Sequence, residues 1–229
     1  MLSHLDLDAL GGVMTLMGHT AMQDIAFWTA AGKVDVEGPH RLDPTDPVRV
    51  SLAAYWAWAA DPANRAPRVT AGTFDATTLV KRHVGLIADI IGERRSGGKG
   101  SLHKAGAAFL ADEELKNWAS FRDLEQVGSL KLATRVSSSF VNHLYRVPVD
   151  EELNAGLLVD GVIALNTTTG AITLSWENGG VNRPSAEKVM QAAFGSQAGG
   201  REGIAGTPRG ATFVEDDLEK VLSAIASCL

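Results

Sequence analysis

The stretch Ser3-His4-Leu5-Asp6-Leu7-Asp8-Ala9-Leu10-Gly11-Gly12 decides how the rest of this chain is read. It puts an imidazole and two carboxylates, His4, Asp6 and Asp8, on alternate positions. Alternate residues of an extended segment point to one side, so a strand end or tight loop here would turn all three towards one small volume. Imidazole nitrogen and carboxylate oxygen together suit a divalent cation such as Mn²⁺. The run that follows has helix-like apolar spacing, with Leu10, Val13, Met14 and Met17 on one stripe, which would set a carboxylate at a helix N-terminus. The simpler alternative is that one aspartate caps this helix and His4 is an exposed polar residue. Capping needs one acid, whereas His-x-Asp-x-Asp supplies three ligands, and the metal reading is preferred.

Composition bounds what such a site can serve. The chain has 229 residues, 45% of them hydrophobic, enough for one large or two small packed domains. Its formal charge of -6 argues against a sequence-independent grip on long nucleic acid, which needs a basic face; a few Arg and Lys suffice for a short nucleotide. The single cysteine, Cys228, allows neither an internal disulfide nor a thiolate zinc site. With no secretory signal pattern and no apolar run long enough to span a bilayer, a cytoplasmic protein without membrane partners is expected.

Taken in order, residues 21–31 read as an apolar helix with Phe27 and Trp28 as core candidates and Gly32 as its stop. Val34, Asp35 and Val36 read as a short strand, and Gly38-Pro39 as a turn, so that Asp35 and His40 flank that turn. Asp46-Pro47 starts a helix through Ala60 whose Tyr55, Trp56 and Trp58 are packing aromatics, with base stacking as the alternative role. Asp75 caps a further helix with Leu79, His83, Leu86, Ile87 and Ile90 on one face, and His83 on that stripe reads as a core histidine. Residues 93–104, ERRSGGKGSLHK, form the clearest break: either a mobile basic loop or a phosphate-contacting lid. Residues 112–126 read as a charged helix carrying Trp118 and Phe121.

The second half reads as short β runs. Residues 135–147 form a two-faced strand, with Val141, His143 and Tyr145 on one side and Phe140, Asn142, Leu144 and Arg146 on the other. Residues 161–166 and 171–177 flank Thr167-Thr168-Thr169-Gly170 as a hairpin. A helix follows with Ser185 as its cap, then a glycine-rich stretch from Gly195 to Gly210, a strand, and a last helix from about Asp216 with Leu218, Val221, Leu222 and Ile225 on one stripe. Glycine at that density lets backbone N–H groups converge on an anion, and Arg201 and Arg209 add charge-assisted donors; a long flexible loop is the plainer alternative.

These two ends carry a resemblance. His4-Leu5-Asp6-Leu7-Asp8-Ala9-Leu10-Gly11-Gly12 looks like the first motif of the DHH phosphoesterase superfamily. Gly199-Gly200-Arg201-Glu202-Gly203-Ile204-Ala205-Gly206 resembles the glycine motif of the DHHA1 domain that accompanies it, with Arg201 where that family has His. The family's Asp-His-His triplet is absent: Gly38-Pro39-His40 stands at that place, and only Met1 and Leu2 precede Ser3, so either a first strand is very short or the sequence begins late.

The resemblance implies an α/β protein with an N-terminal parallel-sheet metal-binding domain over residues 1–115, a connecting segment 116–130 and a smaller mixed-sheet substrate domain over 131–229. It implies Mn²⁺, or Mg²⁺ in its place, as one or two ions held by His4, Asp6, Asp8, Asp35 and His40, with Asp35 and His40 catalytic and Asp75 or Asp89 completing the set. The reaction implied is hydrolysis of a phosphoester or phosphoanhydride in a small nucleotide. Gly199, Gly200, Arg201 and Arg209 would bind the substrate, with His143, Asn142 and Arg146 as further cleft candidates. A homodimer is compatible with this reading. The rival is a catalytically silent nucleotide-binding or sequestering protein that kept the glycine-rich pocket and lost part of its metal site.

Overall fold

In the computed structural model, residues 7–64, 76–148 and 156–229 are described; His4, Asp6 and Asp75 lie outside them. The chain divides into two compact units, Met1–Glu113 and Glu114–Leu229.

The described elements of the first unit are helices. Helix α1, Leu7–Leu16, buries Leu7, Leu10 and Met14, positions three and four apart that share one face. Asp8 therefore lies in a helix and not in the extended alternation expected there. A short 3₁₀ turn, Thr20–Gln23, leads into α2, Ile25–Glu37, whose first turn is capped by Asp24 accepting from the Phe27 N–H at 3.1 Å. Contrary to expectation α2 runs through Gly32 and through Val34-Asp35-Val36. The β-branched pair is a weak local preference, and Val34 packs into the helical core while the helix stops only at Gly38, whose φ of 91° suits glycine.

Helix α3, Val48–Ala60, follows Pro47, and α4, Ala76–Arg95, buries Leu79, His83, Ile87 and Ile90 along the expected face. The break at 93–104 is neither lid nor long loop. Gly97 and Gly98, both at positive φ, turn the chain in five residues from α4 into α5, Ser101–Ser120. In this unit α5 lies close on α3 at Gly106, where a Cβ would stand 2.1 Å from the Val50 carbonyl oxygen.

In the second unit α5 ends at Ser120, so the expected helix over 112–126 gives way to β1, Phe121–Val127, paired antiparallel with β2, Leu130–Ser137. No connecting segment separates helix from sheet. β2 runs parallel to β3, Gly161–Asn166, which forms the expected hairpin with β4, Ala171–Trp176. Helix α6, Ala186–Phe194, precedes two short strands within the glycine-rich stretch, β5 (Gly199–Gly200) and β6 (Ile204–Gly206), and α7, Leu218–Cys228, closes the chain. The strand expected after Gly210 is not formed; it lies inside the glycine-rich segment.

The six-stranded sheet has the order β1-β2-β3-β4-β6-β5 and is mixed, with β2 and β3 its one parallel pair among the described residues. One face carries Leu132, Ile163, Ile172, Leu174 and Trp176 against Val189, Met190, Val221 and Ile225 of α6 and α7. The other carries Ala133, Val162 and Ala164 beneath Val141, Val147 and Val159. Residues 138–147 are thus not a strand: they cross this second face as an irregular cover, because Val141 and Val147 gain more by burial than a further edge strand would gain by pairing.

Candidate functional site

The sheet's short edge is held by several close backbone contacts. β5 and β6 form a tight hairpin in which the Arg201 N–H donates to the Ile204 carbonyl at 2.7 Å. Trp176 N–H donates to the Gly203 carbonyl at 2.8 Å, and Ala186 N–H, at the start of α6, to that of Glu202 at 2.9 Å. The hairpin tip is therefore tied to the end of β4 and to the first turn of α6. Glycine is required where two turns meet: a Cβ on Gly203 would stand 2.5 Å from the Gly179 carbonyl oxygen, and Gly180 combines a φ of 95° with 2.9 Å to Glu202. The stretch is a fixed turn rather than a flexible loop.

Arg201 projects from this tip, exposed, and makes no side-chain hydrogen bond or ion pair among the described residues. Arg209 is also exposed and unpaired, but the register separates the two. Arg201 is level with Ile204, which pairs Ser175, whereas Arg209 follows Thr207, whose N–H donates to Ile172. The two anchor points, Ser175 and Ile172, are three residues apart on β4, about 10 Å along the strand.

Of the other candidates, Asn142 reaches the same end of β4 as Arg201: its carbonyl accepts from the Ser175 hydroxyl at 2.5 Å. His143, next to it, is exposed. Arg146 instead braces the cover segment, its Nη1 donating to Gly156 at 2.8 Å and its carbonyl accepting from Arg135 Nη2 at 2.8 Å. Gly199 and Gly200 are exposed on β5, and a Cβ on Gly199 would stand 3.9 Å from Glu187 Oε1, so one carboxylate borders this edge.

One residue that sequence reasoning missed is Arg135. It is fully buried on β2, donating from Nη1 to the Asn117 carbonyl and the Ser120 hydroxyl, with its guanidinium 5.7 Å from the Phe121 ring. Burial pulls its pKa down to about 10, with Glu114 opposing the shift. Nothing in the alternating run Leu130–Ser137 distinguishes a buried arginine from an exposed one.

In the first unit the 3₁₀ turn links α1 to α2, and the two helices pack on each other. Gly11 lies against Trp28, where a Cβ would come within 2.9 Å of Cζ3, and Trp28 Nε1 donates to the Ala21 carbonyl at 3.1 Å. Asp35 is exposed on the last turn of α2, and His40 sits on the 3₁₀ turn Pro39–Arg41 with its ring over Gly38; a Cβ there would come within 2.5 Å of Cε1. Asp8 lies on α1, Asp35 near the end of α2 and His40 on the 3₁₀ turn that follows it. Among the described residues no three His, Cys, Asp or Glu side chains gather into a cluster able to hold a metal. Asp89 is exposed on α4, and His83 is buried, as read from its stripe. The donor chemistry of Asp8, Asp35 and His40, carboxylate and imidazole, fits Mn²⁺.

No helix among the described residues is long and apolar enough to cross a membrane. Comparison with known proteins found no match: no family model, no curated protein and no solved structure matches the chain.

Proposed function

We propose that the chain is a metal-dependent phosphoesterase acting on a small phosphorylated nucleotide, with the second unit binding substrate phosphate and the first holding the metal. The observation that carries this reading is Arg201: an unpaired guanidinium on a hairpin whose backbone is fixed by the Gly179-Gly180 and Glu202-Gly203 contacts. A cation held ready in this way binds an oxyanion without first breaking an internal pair. Asn142 and His143, at the same end of β4, extend the site to a second oxygen or to a sugar.

His4, Asp6, Asp8, Asp35 and His40 would hold Mn²⁺ or Mg²⁺. The metal would supply a nucleophilic hydroxide near neutral pH and neutralise phosphoryl charge. Asp35 and His40 would orient water and substrate there, with the His40 ring packed over Gly38.

The rival, a silent nucleotide-binding protein, is favoured by one observation: the described elements of the first unit are helices where the resemblance implies a parallel sheet. The test is to incubate the chain with Mn²⁺ and, in parallel, a 5′-phosphorylated dinucleotide, a nucleoside bisphosphate and a long single strand. Hydrolysis of the small substrates alone supports the phosphoesterase. Binding of a dinucleotide by calorimetry without turnover supports the rival, and processive loss of the long strand overturns both.

A further inference from the structure

The α4–α5 turn encloses a second site, unrelated to the phosphate reading. In the first unit a cavity of about 210 Å³ opens between α3, α4 and the beginning of α5. Gly106 explains why it exists. There α5 meets α3 backbone to backbone, and one turn earlier the chain diverges into the Gly97-Gly98 turn, leaving space that no side chain fills.

Its apolar wall is Ala54, Ile90 and Leu102. Its polar groups are mostly donors. Ser51 is only 6% exposed, lines the cavity and makes no hydrogen bond among the described residues, so its hydroxyl is available to an occupant of that space. Arg94 gives Nε to Asp24 Oδ2 at 3.2 Å, which fixes its guanidinium at the rim and leaves the Nη groups for another acceptor. The His103 imidazole stands on the first turn of α5 against Gly98, and the positive end of a twenty-residue helix points the same way. The one acid in the wall, Glu93, is engaged: its Oε2 accepts the His103 N–H at 2.7 Å, and its other oxygen lies where a Cβ on Gly100 would be.

We infer that this cavity binds a small organic carboxylate with a short apolar body. The donors Arg94, Ser51 and His103 would take the carboxylate, and Ala54, Ile90 and Leu102 the apolar part. The volume lies below the range usual for drug-sized ligands, which suits a compact acid. Arg94 is already balanced by Asp24, and Glu93 stands beside it, so a monoanion fits better than a doubly charged phosphate.

The experiment uses the full chain, isobutyrate as probe and inorganic phosphate as the competing anion, followed by ¹⁵N–¹H NMR. Saturable shifts should gather at Ser51, Gly97, Gly98 and His103 with isobutyrate and be weaker with phosphate. Ala54→Leu fills the cavity and should abolish them, and Leu102→Trp on the more exposed rim repeats that test should Ala54→Leu not fold. Ser51→Ala should weaken binding about tenfold. Absence of saturable shifts, shifts that persist in the cavity-filling variants, or phosphate binding as tightly as isobutyrate would each overturn the assignment.

Discussion

The Tyr55 hydroxyl and His83 Nδ1 share a hydrogen bond of 3.0 Å between α3 and α4, both side chains buried. Trp58 meets the same imidazole edge-on with ring centroids 4.7 Å apart, and the Arg82 guanidinium lies 5.5 Å from the Trp58 ring. Burial lowers the His83 pKa; a backbone hydrogen bond at Asn64 opposes this, and the Arg82 charge adds to it. The imidazole is neutral in the folded chain, a polar link within an otherwise apolar helix interface.

A stability loss on mild acidification follows from that pKa. Above an unfolded value of about 6.5 the ring is neutral in both states, and its contribution is complete. As pH falls below that value the unfolded chain takes up a proton that the folded chain resists, so stability drops until the lowered folded pKa is passed. Melting temperatures of the parent and His83→Gln should therefore diverge least at acid pH and most above about pH 6.5. Parallel curves across that range would remove His83 as the cause.

Gly203→Ala should destabilise the second unit although Gly203 is not at positive φ. The added methyl meets the Gly179 carbonyl oxygen at 2.5 Å, backbone against backbone, so neither side can turn away. Overpacking of this kind costs about 1–3 kcal/mol. Urea denaturation should show a lower midpoint with an unchanged slope.

For the metal, Asp8→Ala should abolish Mn²⁺-dependent hydrolysis while far-UV circular dichroism stays that of the parent, since alanine is the better helix former within α1. Metal content after dialysis should fall with the activity. Parent-level turnover of a dinucleotide by the variant would exclude Asp8 as a ligand.

The two glycine-loop arginines should separate in a binding assay. Arg201→Ala removes the unpaired cation at the β5–β6 turn and should weaken nucleotide affinity about ten- to a hundredfold, the worth of a charge-assisted hydrogen bond. Arg209→Ala, beyond β6 and anchored about 10 Å further along β4, should change it less. Titration calorimetry with one dinucleotide reads both, and equal losses would mean that the register does not separate their roles.

Much of the local structure is legible along the chain. The stripes in α4 and α7, the proline before α3 and Thr167-Thr168-Thr169-Gly170 between β3 and β4 each carry a local cause that neighbouring residues suffice to express. The candidate residues were legible as chemistry: a His-x-Asp-x-Asp motif and a glycine run with two arginines. Their geometry was not. Val34-Asp35-Val36 reads as a strand yet belongs to α2, because helix length is set by packing partners distant in the sequence.

By itself, then, the sequence determined which segments are amphipathic, where glycine and proline turn the chain, and which side chains can bind a metal or an anion. Tertiary structure alone decided that α2 continues through Gly32 and Val34-Asp35-Val36, that residues 138–147 cover a sheet face rather than join it, and that Arg135 is buried. The reason is one of magnitude. Helix and strand preferences differ by less than about 1 kcal/mol per residue, whereas burying one large apolar side chain is worth about 1.5–3 kcal/mol, so where the two compete the packing partner prevails.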